Sequence, residues 1–317
     1  MIEEHVEIGD GATLGPRVRV GIGAIVEADA AVRTDVPPYT RVAGNPARPV
    51  AQYDPAGGRW LAVEGDDQPE EAPSVSIVIP VDGGAERLRL AYQALRQAVG
   101  DEFPCEAIFV DVAGGADLAA AVEDLPGDVC LIQNDEPGSL LRAVNQAATI
   151  ARGKYLAVLP PDLFPLGGWL SELVAAAEQH DRVAMVAPRV LSHDGTTVSA
   201  GGWIQPDGRS AINIPRPPRL DLPVLVHFAP PDGCLLRLDL LVAAHGLDEG
   251  YRTGQAAFAD YGLLMKASGY RVVYLPSAVA IDTDVAEPDP VTLERDRQYF
   301  LVKWSALEAA ALEREAA

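Results

Sequence analysis

The sequence predicts an α/β protein in which a doubly wound, mostly parallel sheet follows a short left-handed parallel β-helix. Two observations support this fold class. From Ser74 onward, short apolar runs alternate with stretches whose apolar residues recur at helical spacing, as in parallel sheets with helices on both faces. Before Ser74, aliphatic residues recur every six positions, the period of a hexapeptide coil. A chain of 317 residues is long enough for two domains.

The six-residue repeat covers residues 1–50. Five aliphatic residues are spaced by six without a slip, and a small or apolar residue stands two positions before each of them: Ile8, Leu14, Val20, Val26 and Val32, preceded by Val6, Ala12, Val18, Ala24 and Ala30. One inward aliphatic side chain per hexad favours a β-helix over the alternative of an ordinary strand pair. Five hexads make fewer than two coils, so we expect a remnant or cap that packs on the next domain or trimerises. The alternative explanation of the short repeat is a start codon assigned too far downstream.

The segment TDVPPYTRVAGNPARPV, which ends this repeat, resembles the end of hexapeptide-repeat acyltransferases. The resemblance implies that the AGNPA region and Arg48 lie near coenzyme A. In that family the catalytic histidine lies upstream of this final part, and His5 is the only histidine in the segment. We therefore expect no acetyltransferase activity.

Residues 51–73 are predicted to form an acidic linker, because Gly, Pro and acidic residues dominate and nothing is periodic. The main domain is predicted to span residues 74–304. Its strands are expected in SVSIVIPV, EAIFVDV, DVCLIQN, KYLAVLPPD and VAMVAPRVL, and its helices in ERLRLAYQALRQAV, SLLRAVNQAATIA and GGWLSELVAAAEQH. Residues 305–317 are predicted to be a helical tail, for which a coiled-coil partner helix is the alternative.

Two of these strands end in carboxylates, Asp111 and Asp162. Ligands of open α/β sheets bind at the carboxyl ends of parallel strands. Carboxylates there suit a divalent cation and a diphosphate. Solvated strand-end residues are the structural alternative, and two carboxylates in equivalent positions favour a site.

The ordered set of segments resembles the family 2 glycosyltransferases with a GT-A fold. The resemblance rests on SIVIPV, the VDV strand end, PGSLLRAVNQAATIARGKYLAVLPPD, GGWLSELV, the DG–SAGG segment and DGCLLRLDLLVAAHGLDEGYRTGQAAFADYGLLMKASGYRVVYLPSAVAI, from Ser74 to about Trp304. It implies transfer of a sugar from a nucleotide diphosphate sugar to an acceptor hydroxyl. It also implies a divalent cation, Mn²⁺ or Mg²⁺, and an inverting single displacement.

The resemblance assigns donor-binding roles to four residues, Pro80, Asp111, Asn145 and Asp162, of which Asp162 is also the expected metal ligand. Relatives carry two acidic residues at the end of the second strand, whereas Asp111 is followed by Val112. The DXD-like metal motif is reduced to Pro160-Pro161-Asp162, and proline offers no side-chain ligand. Asp282 stands where relatives often carry a histidine.

Two acidic residues are the expected catalytic candidates, Asp260 and Asp232. Relatives carry an acidic EDxD run with the catalytic base in it, and the corresponding residues here are Ala257-Phe258-Ala259-Asp260. Asp260 is therefore the base candidate, and pairing within its own helix is an equal alternative. Asp232 precedes a strand and could face the acceptor cleft.

The chain carries 25 basic and 46 acidic residues, a formal net charge of −21. Such a surface repels phosphate backbones, so nucleic acid is not an expected partner.

Cys105, Cys130 and Cys234 are isolated and flanked by apolar residues, as in a reducing compartment. The acidic N-terminus has no apolar core of a signal peptide, and no run approaches the length of a membrane span. We expect a cytoplasmic protein, either free or peripheral at the inner face of the membrane.

These observations predict a glycosyltransferase of glycan or polysaccharide assembly that acts on a glycan or lipid-linked acceptor. The alternative is a catalytically inactive pseudo-glycosyltransferase that serves as a scaffold or as a nucleotide-sugar-binding partner. The proline and alanine replacements in the metal and base motifs favour that alternative. A homo-oligomer assembled through the β-helix segment is the third hypothesis.

Overall fold

The computed structural model describes residues 2–15, 18–28, 30–44, 47–54, 59–62, 74–100, 103–115, 118–205, 207–212, 221–284 and 289–315. The chain divides into two compact units: Met1–Ser74 with Thr149–Gly153, and Val75–Ala148 with Lys154–Ala317. The predicted boundaries at residues 50, 73 and 304 stay predictions.

The first unit consists of short strands: β1 (Glu7–Ile8), β2 (Thr13–Leu14), β3 (Ile25–Val26), β4 (Ala31–Val32), β5 (Thr40–Ala43), β6 (Arg48–Asp54) and β7 (Arg59–Ala62). β1, β3 and β5 pair in parallel, as do β2 and β4. The first of these pairings join residues 18 apart, such as Glu7 with Ile25 and Thr13 with Ala31. Three hexads per turn give this spacing. The left-handed β-helix itself stays a prediction.

Three of the five aliphatic residues in the six-residue repeat are buried. Val20, Val26 and Val32 are at most 2% exposed and belong to one apolar cluster. Ile8 is 42% exposed, because β1 lies at the edge of its sheet. The periodicity therefore identifies the inward positions of the second coil better than those of the first.

Strands β6 and β7 lie partly or wholly within the predicted linker. β6 runs to Asp54 and pairs antiparallel with β7. The Trp60 ring packs edge-on against Tyr53 at 5.5 Å, and the Arg41 guanidinium lies 5.4 Å from the Trp60 ring. These aromatic contacts stabilise a strand pair that lacks the alternating pattern of a longer strand. Residues 63–73 lie outside the described residues.

The second unit alternates strands and helices: β8 (Val75–Val81), α1 (Ala85–Val99), β9 (Cys105–Asp111), α2 (Ala119–Glu123), β10 (Val129–Ile132), α3 (Leu140–Ile150), β11 (Tyr155–Val158), β12 (Leu163–Pro165), α4 (Trp169–Glu178), β13 (Val183–Ser192), β14 (Thr197–Ser199), β15 (Gly202–Ile204), β16 (Ser210–Ile212), β17 (Val224–Val226), β18 (Leu235–Arg237), α5 (Leu238–Ala243), α6 (Gly254–Ala267), β19 (Arg271–Asp282) and α7 (Pro290–Glu315). Every strand and helix predicted for this region from its apolar pattern is present.

The main sheet has the strand order β10-β9-β8-β11-β18-β13-β19-β12. Within the described strands, four of the seven pairings along this path are parallel: β10·β9, β9·β8, β8·β11 and β13·β19. The expected mostly parallel α/β sheet is therefore confirmed. The four consecutive parallel strands bring the ends of β8, β9 and β11 to one edge of the sheet.

Helices cover the sheet on both faces. One face of β8, with Val75, Ile77 and Ile79, packs with Leu88 of α1 and Leu173 of α4 in a single buried cluster. α5 lies next to β11 and β18, and α6 lies next to β19, and the buried residues of these two helices are not part of that cluster. All seven residues of β8 are buried, as expected for a central parallel strand.

The C-terminal stretch is one continuous helix, α7, which begins at Pro290 and passes through the predicted boundary at residue 304. Asp296, which is 1% exposed, holds this helix against the start of α6. Its carboxylate accepts hydrogen bonds from the backbone amides of Arg252 and Thr253, at 2.9 and 2.8 Å, and from the Thr253 hydroxyl at 2.8 Å. This first part of α7 belongs to the fold of the second unit.

A search of the described residues for a helix both long and apolar enough to cross a lipid bilayer finds none.

Candidate functional site

The candidate site lies where β8, β9 and β11 end. β8 pairs with both neighbours in parallel, and its last residue, Val81, lies opposite Asp111. Asp82 follows β8 directly, and Asp162 follows β11 after a short turn. Three carboxylates therefore come to the carboxyl edge of the sheet, where open α/β sheets bind ligands.

Asp111 is fully buried and holds the loop that follows it. Its Oδ1 accepts hydrogen bonds from the amides of Ala113 and Gly114, at 3.0 and 3.1 Å, and its backbone oxygen accepts one from the Asn134 amide at 2.7 Å. The carboxylate thereby shapes the glycine loop at this edge of the sheet. Its predicted contact with a nucleoside stays a prediction.

Asp162 forms an ion pair with a residue that the sequence analysis did not single out. Arg87, in the first turn of α1, donates through Nη2 to Asp162 Oδ2. Its Nη1 lies 3.3 Å from Asp82 Oδ1, so one guanidinium joins the carboxylates that follow β8 and β11. The sequence feature that points to this contact is the Gly83-Gly84 turn before α1, since it leaves room for a long side chain over the strand end.

The loop that carries Asp232 is fixed by its neighbours. Gly233 has a φ of +76°, and a Cβ there would lie 2.8 Å from Leu163 Cδ2. The Trp169 indole donates to the Gly233 oxygen at 3.0 Å. Only glycine fits this backbone without strain. Since Leu163 follows Asp162, this packing brings the Asp232 loop beside the metal-motif residue.

Asp232 and Asp282 are half-buried carboxylates with raised pKa values. Burial and, to a lesser extent, the nearby Asp282 charge raise the pKa of Asp232 to about 6. Burial also raises the pKa of Asp282, together with the charges of Asp162 and Asp284. Among the described residues, no hydrogen bond reaches the Asp232 side chain. The loop thus holds a carboxylate whose pKa is raised to about 6 and which accepts no hydrogen bond from the part of the chain that the structure describes.

Asp260 lies in a closed network against α7. The residue is 5% exposed, and its carboxylate accepts hydrogen bonds from Tyr251 Oη at 3.1 Å, Lys303 Nζ at 2.8 Å and Trp304 Nε1 at 2.9 Å. Although burial opposes it, hydrogen bonding to Asp248 and Asp260 raises the pKa of Lys303, which keeps the ammonium charged. This geometry favours the structural alternative for Asp260, and its role as a catalytic base stays a prediction. Two of the partners, Lys303 and Trp304, lie more than forty residues away along the chain, so the pattern of the helix alone does not predict them.

The other two predicted donor-binding residues have structural contacts. Asn145 of α3 clamps the turn after α5: its side chain donates to the Leu247 oxygen at 2.9 Å and accepts from the Leu247 amide at 2.7 Å. Pro80 is buried within β8, opposite Val110. Their predicted roles in donor binding stay predictions.

The arrangement brings Asp162, Asp232 and Asp282 around Leu163, because Leu163 pairs with Asp282 across β12 and β19. Asn145 and Asp260 serve other parts of the fold. A site of this kind could hold a diphosphate near Arg87 and remove a proton with Asp232. The alternation of strands and helices does not reveal these contacts, because they join segments far apart in sequence.

Solved structures with this fold come from glycosyltransferases. A mannosyltransferase from Pyrobaculum calidifontis, in complex with GDP-Man and Mn²⁺, superposes with a TM-score of 0.51 at 15% identity over 76% of this chain and 66% of its own. GalNAc-T7 with UDP, GalNAc and Mn²⁺ gives a TM-score of 0.55 at 13% identity over 78% of this chain and 50% of its own. At these identities the likeness establishes the GT-A fold alone.

A curated relative of a different kind is similar over a short stretch. Serine acetyltransferase 4 of Arabidopsis thaliana is 41% identical over 58 residues, which is 16% of this chain and 16% of that protein. This match gives weak support to the acyltransferase-like remnant. The chain spans about a sixth of the length of that relative.

The sequence profile described as "Glycosyl transferase family 2" matches residues 76–241, which contain β8, β9, β11 and the Asp232 loop. This match covers more than half of the 317 residues. The strand-end carboxylates and the fold agree with it, and the chain belongs to the family 2 glycosyltransferases.

Proposed function

We propose that this protein binds a nucleotide diphosphate sugar at the carboxyl edge of its sheet and transfers the sugar to an acceptor hydroxyl with inversion. The observation that carries this proposal is the Asp232 carboxylate, half-buried and raised in pKa to about 6 beside Asp162 and Asp282. A general base works best when its pKa is near the working pH. Glycan or polysaccharide assembly, with a glycan or lipid-linked acceptor, is the proposed setting.

In the proposed reaction Asp232 removes the proton of the acceptor hydroxyl as the oxygen attacks the anomeric carbon. The new carbon–oxygen bond forms while the bond from that carbon to the diphosphate breaks, and the nucleoside diphosphate leaves with the bonding electrons. The loop shaped by Asp111 offers backbone amides to the donor. The rigid packing of Gly233 on Leu163 keeps the base in position.

The predicted Mn²⁺ or Mg²⁺ at Asp162 does not fit the residues present. The first two motif positions are Pro160 and Pro161, and the Asp162 carboxylate is paired with Arg87. Across the part of the chain that the structure describes, no three Asp, Glu, His or Cys side chains form a group that could hold a metal ion. Mn²⁺ is present in the two similar glycosyltransferase structures. No step proposed here runs through a metal.

The test is release of nucleoside diphosphate from a panel of nucleotide sugars, with and without acceptor glycans. We expect at least one donor to be turned over, and Asp232→Asn to lower the rate by about 10²–10⁴-fold, the usual contribution of a general base. The variant should still bind the donor. An Asp232→Asn enzyme as active as the wild type would contradict the role of Asp232.

The second candidate function is donor binding without transfer, as in a pseudo-enzyme scaffold. The engagement of Asp260 by Lys303 and Trp304 favours it, since that carboxylate is unavailable as a base. Nucleotide binding without turnover of any donor in the panel would support this function and reject the first.

A further inference from the structure

Arg87 lies between two carboxylates at the edge of the sheet where the donor is proposed to bind. It donates through Nη2 to Asp162 and its Nη1 lies 3.3 Å from Asp82. The side chains of Arg87 and Asp162 are 37% and 38% exposed. A Cβ at residue 83 would lie 3.0 Å from Arg87 Cδ, so Gly83 leaves space for the arginine stem. A guanidinium is thus held at the mouth of the site with part of its surface open.

A guanidinium in this position has the chemistry of a diphosphate ligand. Its five N–H donors form a planar fork that matches phosphate oxygens, and two carboxylates do not use all of them. Exposed ion pairs contribute only about 0–1 kcal/mol, so exchanging one carboxylate for a phosphate costs little. Arg87 can therefore turn to a ligand without disturbing the sheet.

The carboxylates around Leu163 leave few other places for positive charge. Burial and the Asp282 charge raise the pKa of Asp232, and burial with the charges of Asp162 and Asp284 raises the pKa of Asp282. The only motif carboxylate that a metal would use, Asp162, is already paired with Arg87. The positive charge that a leaving diphosphate needs is thus present as a side chain.

We propose that Arg87 is the diphosphate-binding cation of the donor site and that nucleotide binding by this chain does not require a divalent cation. The inference rests on the proposed function. Asp82 and Asp162 act as positioning residues that hold the guanidinium over the strand ends.

The experiment is isothermal titration of UDP, GDP, dTDP, CDP and ADP into the full chain, in EDTA and separately in Mn²⁺. Three variants accompany the wild type: Arg87→Gln, Arg87→Lys and Arg89→Gln. Arg89 is exposed in the same turn of α1 and serves as the matched loss of one charge. Thermal unfolding of each variant without nucleotide controls for folding.

We expect one diphosphate to bind in EDTA, with a Kd at least tenfold weaker in Arg87→Gln and within twofold of the wild type in Arg89→Gln. Arg87→Lys should be intermediate, because it keeps the charge and loses the fork. Binding that appears only with Mn²⁺ and is unchanged in Arg87→Gln would overturn the inference and leave the proposed function standing. A wild-type chain that binds none of these nucleotides in either condition would overturn the proposed function and this inference with it.

Discussion

The Asp232 carboxylate receives no hydrogen bond from the described residues, whereas the Asp260 carboxylate accepts three. An ionised carboxylate that lacks donors in a half-buried loop destabilises the folded state, and one that is fully hydrogen-bonded stabilises it. The two predicted catalytic acids therefore differ in what their replacement does to stability.

Asp232→Asn is expected to raise stability while it lowers the rate of transfer. The folded pKa of about 6 lies above the ordinary 3.8, so ionising Asp232 costs free energy in the folded state. Removing the charge should raise the unfolding free energy at pH 7 by on the order of 1–3 kcal/mol. Urea denaturation measures this. A loss of stability in Asp232→Asn would show that the carboxylate has partners that hold it.

Asp260→Asn is the matched variant, and it should destabilise the protein by about 1–3 kcal/mol. The change leaves Lys303 with Asp248 as its remaining carboxylate partner and removes one charged acceptor from a buried network. The same urea titration detects the loss. An unchanged midpoint would show that the network contributes nothing net, as some buried ion pairs do.

The pH dependence of transfer follows from the direction of the Asp232 shift. Below pH 6 the carboxyl holds its proton and cannot act as a base, so kcat/KM should fall about tenfold for each pH unit below about 6. The effect of Asp232 on stability has the opposite pH dependence to its effect on activity. Between pH 4 and 6 the folded state binds more protons than the unfolded state, so the contribution of Asp232 to the free energy of unfolding falls as pH rises through that window. A profile measured from pH 4.5 to 8 tests the first statement. A flat profile down to pH 5 would exclude Asp232 as the base.

Gly233→Ala should impair both stability and transfer. The φ of +76° strains an alanine, and its Cβ would press on Leu163 beside the base. Gly195, with φ of +83° and nothing within 4 Å of a Cβ, isolates the backbone strain alone. We expect about 1 kcal/mol for Gly195→Ala, in line with the strain of a left-handed residue, and more for Gly233→Ala, with lower kcat in the latter only. If the two substitutions changed stability and kcat equally, the backbone strain, and not the contact with Leu163, would account for the effects.

At the scale of the secondary-structure elements, α7 is fastened to α6 at two points. Asp296 accepts hydrogen bonds from the amides that precede α6, and Lys303 and Trp304 donate to Asp260 about two turns further along the two helices. Between them, Tyr299 packs edge-on against Tyr251 with ring centroids 4.9 Å apart. The first half of α7 is therefore a structural part of the second unit, although its sequence is rich in charged residues.

Asp296→Ala should cost about 2–4 kcal/mol, because it leaves the amides of Arg252 and Thr253 and the Thr253 hydroxyl buried without their acceptor. Hydrogen exchange should rise in α6 and in residues 290–304. Glu294→Ala is the control: its exposed pair with Arg297 on the same helix should contribute less than 1 kcal/mol. Equal losses of stability in the two variants would show that the buried carboxylate of Asp296 contributes no more than the exposed one of Glu294.

The apolar runs made the strands and helices of the second unit predictable, since a buried parallel strand such as β8 must be apolar along its whole length. Contacts between distant segments were not predictable in the same way. Asp260 meets Lys303 forty-three residues later, and Arg87 meets Asp162 seventy-five residues later. The residue types are visible in the sequence, but which carboxylate receives which cation depends on the packed fold. This is why Asp260 was expected as a base and Arg87 was not noticed.

At the scale of the whole molecule, 46 acidic residues against 25 basic residues leave a formal net charge of −21. Several of the ion pairs present are exposed, such as Lys154 with Glu178, and each contributes little. Long-range repulsion among the excess carboxylates should then outweigh the attraction within pairs. Since salt screens repulsion over distances beyond about 10 Å at 0.1 M, added salt should stabilise this protein.

We expect the unfolding temperature at pH 7.5 to rise by about 2–4 °C between 10 and 300 mM NaCl, which corresponds to about 1 kcal/mol for a protein of this size. The same titration at pH 5 is the control, because partial protonation of carboxylates reduces the repulsion and should shrink the rise. Proteins held together by exposed ion pairs respond in the opposite direction, since screening weakens attraction. An unfolding temperature that falls with salt at pH 7.5 would therefore show that local pairs such as those of Arg87 and Lys303, and not the excess negative charge, govern the electrostatic stability of the fold.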